Sequence, residues 1–186
     1  MKDEEILNVL TSNQGKYREY KENLEPYFEE IRMADISYPE IQANTLEEVV
    51  KYILDELSGF APLIIDDSGL FVESLNGFPG VYSAYVMDTL GCEGILKLMN
   101  GVEDRKARFE CVIGFLNEEK MLFKGISEGK ITEEMKGGGG FGYDPIFEPL
   151  EIDKTFAQMS TEEKNMISHR GNAMEKFLNY IKKEKF

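Results

Sequence analysis

Positive charge is what this chain has least of. Against 35 aspartates and glutamates it carries 21 lysines and arginines, a formal net charge of −14. A protein that coats nucleic acid needs a basic face to release counterions, so that class is excluded. Histidine is limited to one residue, His169. Cys92 and Cys111 stand in no spacing that would ligate a metal or run a redox cycle. No apolar run approaches the length of a membrane span and no secretory leader is legible, so the expected setting is a reducing cytoplasm. Internal repeats are missing too, which excludes a solenoid.

What is present is an ordinary globular composition, 42% hydrophobic and 30% charged over 186 residues. That length suits one domain or two closely joined lobes. An acidic protein that handles a polyanion must concentrate its few cations locally and recruit a metal. The chain therefore has to be searched for places where both happen.

Two adjacent carboxylates, Asp66 and Asp67, follow the apolar run Leu63-Ile64-Ile65 and precede Ser68-Gly69, which reads as a turn. A buried strand that delivers hard oxygens at its end can hold a divalent cation; a solvated loop after a strand fits the same residues. Earlier, the spacing predicts a strand over 6–10, then the polar loop Thr11, Ser12, Asn13, Gln14, Gly15 and Lys16. Tyr17, Tyr20, Leu24 and Phe28 recur after it at helical spacing. Strand, polar loop and helix start can present backbone N–H groups to a phosphate, and an ordinary capped helix start reads identically. Lys16 in the first helical turn is unfavourable unless an anion lies nearby.

A second strand is expected over 31–36, followed by a loop that carries Glu40. Thr45 and Glu48 form a capping box for an amphipathic helix with Leu46, Val49, Val50, Ile53, Leu54 and Leu57 on its apolar face. Gly59 reads as its C′ stop. Residues 69–75 alternate as a further strand, closed by the turn Asn76-Gly77. Pro79-Gly80 opens a helical segment over 81–87, with another short helix around 94–99. Residues 105–116 and 120–131 alternate as two antiparallel strands of a hairpin. Gly137-Gly138-Gly139-Gly140, followed by Phe141, Gly142, Tyr143 and Asp144, reads as a ligand-contacting loop rather than a linker. Lys154, Lys164, His169 and Arg170 then concentrate positive charge ahead of a C-terminal helix with Ala173, Phe177, Leu178 and Ile181 inward.

With these blocks in this order, the sequence resembles the inosine triphosphate pyrophosphatase family, hydrolases of non-standard purine nucleoside triphosphates. The resemblance rests on residues 11–16, 39–42, 66–70, 76–83, 141–144, 163–165 and 168–170, and spans nearly the whole chain. It implies an α/β fold: a long twisted mixed sheet with two lobes and flanking helices, the active site in the cleft between lobes. It also implies that residues 1–186 form a single two-lobed domain, working as a homodimer. The implied reaction is Mg2+-dependent hydrolysis of ITP, dITP or XTP to the monophosphate and pyrophosphate.

By that resemblance Thr11, Ser12, Asn13, Gln14, Gly15, Lys16 and Ser68 would hold the phosphates, and Glu40 and Asp67 the Mg2+. Asp67 or Asp66 would deprotonate the attacking water. Phe141, Gly142, Tyr143, Asp144, Lys164, His169 and Arg170 would bind the base. Tyr85 departs from the arginine that many relatives carry, and Lys154 is the candidate substitute. Lys51 and Tyr52 stand near the position where relatives carry a lysine in the second helix. Two rival readings are a nucleotide sensor without turnover and a pyrophosphatase for modified pyrimidine nucleotides.

Overall fold

The computed structural model describes residues 6–39 and 41–185. Glu40, the expected metal ligand, lies outside the described residues.

The fold is α/β, built on one open, mixed sheet. Its strands are β1 (Ile6–Leu10), β2 (Glu30–Ala34), β3 (Leu63–Val72), β4 (Lys106–Leu116), β5 (Lys120–Ile131) and β6 (Phe147–Pro149). They lie in the order β2-β1-β3-β4-β5-β6, with β1 parallel to β2 and β3, and β5 antiparallel to β6. The helices are α1 (Gln14–Leu24), α2 (Leu46–Glu56), α3 (Ser83–Thr89), α4 (Gly91–Leu98), α5 (Thr161–Ile167) and α6 (His169–Lys185). The chain divides into two compact units. The first contains residues to Asp67, Val112–Phe123 and Glu175 onward; the second contains Ser68–Cys111 and Lys124–Met174.

In the first unit the amphipathic pattern of α2 does what its spacing dictates. Leu46, Val50, Ile53 and Leu54 are buried, and Thr45 and Glu48 close the capping box. A Cβ on Gly114 of β4 would collide with Val50 and would crowd Leu54 and Ile65, so glycine here lets α2 seat on the sheet. Phe115, Phe123 and Phe177 pack together, with Phe28 edge-on to Phe115. Asn8, the polar residue inside β1, donates its amide to the carbonyls of Phe60 and Pro62 at 2.8 and 3.3 Å. It thereby pins the chain entering β3.

The second unit buries Leu70, Val72, Ile95, Phe109, Ile146, Phe147 and Phe156 in a shared core. Asn76, with φ 55°, and Gly77, with φ 84°, make the expected turn, and Val72 then receives Gly77 N–H at 2.9 Å.

Three local expectations are corrected. Ser68-Gly69 is not a turn: β3 runs unbroken from Leu63 to Val72. Gly69 is required for another reason, since a Cβ there would collide with the Gly80 carbonyl that crosses it. Gly59 is not a left-handed helix stop: α2 ends on Leu57, and Gly59 sits within a single 3-10 turn, Ser58–Phe60. Helix α1 stops at Leu24, so Phe28 joins the core from beyond the helix. The strands expected over 6–10, 31–36, 105–116 and 120–131 fall within two residues of their bounds, whereas β6 and α5 are not expected from the sequence.

Gly69→Ala forces that collision, with nothing softer than backbone to yield. The expected result is a loss of about 1–3 kcal/mol of stability in denaturant unfolding. An unchanged midpoint would show that the Gly80 segment moves aside freely.

Candidate active site

In the first unit, the loop after β1 is organised by Asn13. Its side-chain Oδ1 accepts from Gly15 N–H at 2.8 Å and Lys16 N–H at 3.1 Å, capping α1. Thr11 Oγ1 accepts from Asn13 N–H at 3.0 Å, and Thr11 N–H donates to Ala34 O at 3.2 Å. Ser12 is exposed, and Gln14 reaches Met33 Sδ at 3.3 Å. The anion that the first-turn lysine called for is Asp66: Lys16 Nζ lies 3.0 Å from its Oδ2. Asp66 is buried, whereas Asp67 and Ser68 are half-buried, all on the unbroken β3. The sequence could not show this pair, because nothing in residues 11–16 points to a partner so distant along the chain.

Among the described residues no group of three or more His, Cys, Asp and Glu side chains is placed to hold a metal ion. Mg2+ does not need such a cage. It is held by one or two carboxylates, with waters and substrate phosphates completing an octahedron. Asp67, a half-buried carboxylate on a rigid strand, fits that kind of site.

In the second unit a different cluster forms around Asp144, which is only 2% exposed. Its Oδ2 accepts from Lys164 Nζ at 2.6 Å and from Phe141 N–H at 2.8 Å. Gly140 has φ 74°, and a Cβ there would collide with the Asp144 carboxylate, so the glycine-rich run wraps this acceptor closely. Gly139 N–H also donates to Ala157 O at 3.1 Å. The run is therefore a fitted loop and no linker. Phe141 remains 56% exposed, with Lys164 Nζ 4.5 Å and Arg170 Cζ 5.6 Å from its ring centre. An exposed aromatic ring flanked by two cations is a platform for a flat, electron-rich ligand.

Behind the platform lies an aromatic floor that no local sequence signal announces. His169 stacks on Phe109 at 4.6 Å with an interplanar angle of 12°, and Phe109 contacts Phe147 and Phe156. Tyr143 turns inward and donates its hydroxyl to Ser83 O at 2.9 Å. Burial raises the Tyr143 pKa, aided by the charges of Cys92 and Asp88. Ser83 Oγ accepts from Leu70 N–H at 2.8 Å and donates to Gly80 O at 2.7 Å, tying α3 to β3. Gly142, with φ 59°, accepts from Cys92 Sγ at 3.4 Å. Lys164, Arg170, Asp144 and Phe141 are thus brought together, while the Tyr143 phenol and the His169 ring face packed core. Ser168, between α5 and α6, takes Gly171 N–H on its hydroxyl at 3.1 Å and so caps the last helix, which begins at His169 and carries Arg170 in its first turn.

Lys154 is exposed and lines a hollow of about 440 Å3 with Glu151, Asp153, Met159 and Met166. Tyr85 is 71% exposed on α3. On α2, Lys51 is exposed and Tyr52 half-buried.

Comparison with known proteins gives these clusters a context. The model of the Ham1 family matches residues 7–180. A protein of Thermococcus kodakarensis named dITP/XTP pyrophosphatase is 52% identical over 180 residues, covering 95% of this chain and 97% of its own. One of the same name from Pyrococcus horikoshii is 52% identical over 176 residues, covering 93% and 95%. Among solved structures, the Staphylococcus aureus Ham1 protein superposes with a TM-score of 0.87 at 34% identity, covering 97% of this chain and all of that one (100%).

Cys92 offers a direct check on the packing behind the loop. Burial, with the charge of Asp144 adding to it, pushes its thiol up to about 11. The neutral form therefore persists through pH 8, and alkylation by iodoacetamide at that pH is expected to be slow until urea unfolds the chain. Rapid labelling of Cys92 in the folded protein, read by mass spectrometry, would contradict the packing described.

Proposed function

The chain belongs to the Ham1 family, and on that premise we propose that it hydrolyses ITP, dITP and XTP to the nucleoside monophosphate and pyrophosphate. The observation that carries this reading is the exposed Phe141 ring with Lys164 and Arg170 beside it and the Asp144 carboxylate beneath the same loop. A hydrolase that needed only the triphosphate would have no use for such a platform.

The residues divide by task. In the first unit Lys16 meets the phosphates, with Thr11, Ser12, Asn13, Gln14 and Gly15 shaping the loop that presents it. Ser68, which follows Asp67 on β3, lends a hydroxyl to a phosphate. Glu40 and Asp67 would hold Mg2+, which would supply charge neutralisation on the phosphate oxygens. Asp67 orients a water and takes its proton as the water oxygen bonds to phosphorus; the anhydride bond breaks and pyrophosphate leaves. Little covalent work falls to the protein, so the acceleration rests on positioning and electrostatics.

In the second unit Phe141 stacks on the purine. Hypoxanthine and xanthine offer a keto oxygen at position 6 and an N–H at position 1. Arg170 and Lys164 suit the first as donors, with His169, named for that role by the resemblance, stacked instead on Phe109 behind them; Asp144 suits the second as an acceptor. Gly142 and Tyr143 hold the loop that carries Phe141 and Asp144. Adenine reverses both partners, leaving two buried polar contacts unmatched. At about 1–3 kcal/mol each, these give roughly a hundredfold or greater discrimination.

Family membership also supports a homodimer acting in the cytoplasm. No helix among the described residues is long and apolar enough to cross a membrane.

The test is a panel of nucleoside triphosphates with Mg2+, scored for monophosphate and pyrophosphate. ITP, dITP and XTP should be cleaved, with ATP slower by roughly a hundredfold in kcat/KM. Pyrophosphate from ATP at the ITP rate, or preferential cleavage of a modified pyrimidine nucleotide, would overturn the specificity. Tight ITP binding with no pyrophosphate would make the protein a sensor. Sedimentation of the same preparation is expected to give twice the 21.3 kDa of one chain.

A further inference from the structure

We propose that Asp66 is a positioning residue that holds the Lys16 ammonium for the triphosphate and takes no proton itself. The two neighbouring carboxylates would then divide the work between them. The inference rests on the reading of Asp67 given above and resolves which of the pair faces the water.

Three observations carry it. First, β3 is unbroken through both residues, and side chains along a strand alternate between faces. Ile65 shares its face with Asp67, and the Ile65 side chain belongs to the group that surrounds Gly114 together with Val50 and Leu54 of α2. Asp66 therefore points to the opposite side, where Lys16 of α1 meets it. Second, the Asp66 side chain is 2% exposed and that of Lys16 is 21% exposed, with Nζ and Oδ2 3.0 Å apart. Lys16 is the partner of the pair that reaches solvent. An ammonium has three donors, so contact with one carboxylate oxygen leaves others for a phosphate. Third, Lys16 is fixed at both ends: its backbone N–H is held by Asn13 Oδ1 at 3.1 Å and its tip by Asp66. A lysine loses considerable rotamer freedom when it binds a ligand, and one already fixed loses less.

A purely structural ion pair would share the distance but not the consequence for substrate. The test is a cycle of wild type, Asp66→Asn, Lys16→Met and the double variant, with Asp67→Asn alongside. Two readouts apply: kcat and KM for ITP with Mg2+, and ITP binding by calorimetry in EDTA. Asp66→Asn should lose about tenfold in kcat/KM and weaken metal-free ITP binding, while in the Lys16→Met background it should change neither by more than about twofold. Asp67→Asn should abolish turnover in either background.

A kcat loss above about a hundredfold for Asp66→Asn that persists with Lys16→Met would make Asp66 the proton acceptor and overturn the proposal. Equal losses in both backgrounds, or metal-free ITP binding untouched by Asp66→Asn, would reduce the pair to structure and overturn it as well. If Asp66→Asn does not fold, Asp66→Glu enters the cycle with the same outcomes. Wild type that binds ITP yet releases no pyrophosphate would defeat the proposed function alone, and the binding arm would still decide the role of Asp66.

Discussion

Among the described residues a lysine is set against a buried aspartate once in each compact unit, and each candidate cluster is arranged around its pair. In the first, Lys16 leans on Asp66; in the second, Lys164 leans on Asp144. In both, the aspartate side chain is nearly sealed, at 2% and 3% exposure, and the lysine is the more exposed partner, at 21% and 13%. A buried carboxylate left alone would be strongly unfavourable, so each aspartate fixes where its cation must be. Such pairs are weak arguments for stability, because desolvation offsets most of the attraction. Their value lies in location. A chain with a formal charge of −14 keeps two of its few cations immobile, where a polyanionic, keto-bearing ligand can meet them.

The two pairs differ in what else they organise. Asp144 also takes the Phe141 N–H, so one oxygen orders both a cation and the backbone under an exposed ring. In the proposed function, base recognition and loop geometry are thereby linked. Loss of the carboxylate would free the ring and the lysine together. Asp66 has the narrower task of setting one ammonium at the start of α1, whose capping Asn13 already holds the backbone. Behind Phe141, the stack of His169 on Phe109 keeps the last helix in register with the floor, so Arg170 arrives beside the ring through packing.

Much of this was legible in residue order, and the remainder failed for identifiable reasons. Periodicity and capping chemistry located α2, because Thr45, Glu48 and the apolar stripe are local signals. Asn76-Gly77 announced its turn because left-handed backbone favours those residues. Gly69 misled: its glycine serves the crossing of the Gly80 carbonyl, a tertiary requirement that imitates a turn signal. The motifs named Lys16, Asp66, Asp144 and Lys164 singly. Which aspartate each lysine meets depends on sheet order and loop closure, and local sequence carries neither. The inward turn of Tyr143 toward Ser83 was hidden for the same reason.

The proposed function requires that the Phe141 ring receive a purine and that Lys16 receive a phosphate oxygen. A crystal structure of the Asp67→Asn variant with ITP and Mg2+ tests it most directly. Hypoxanthine should lie on the Phe141 ring with its keto edge toward Arg170, and a phosphate oxygen should contact Lys16 Nζ. A base lodged away from Phe141, or a triphosphate that leaves Lys16 touching only Asp66, would contradict the account.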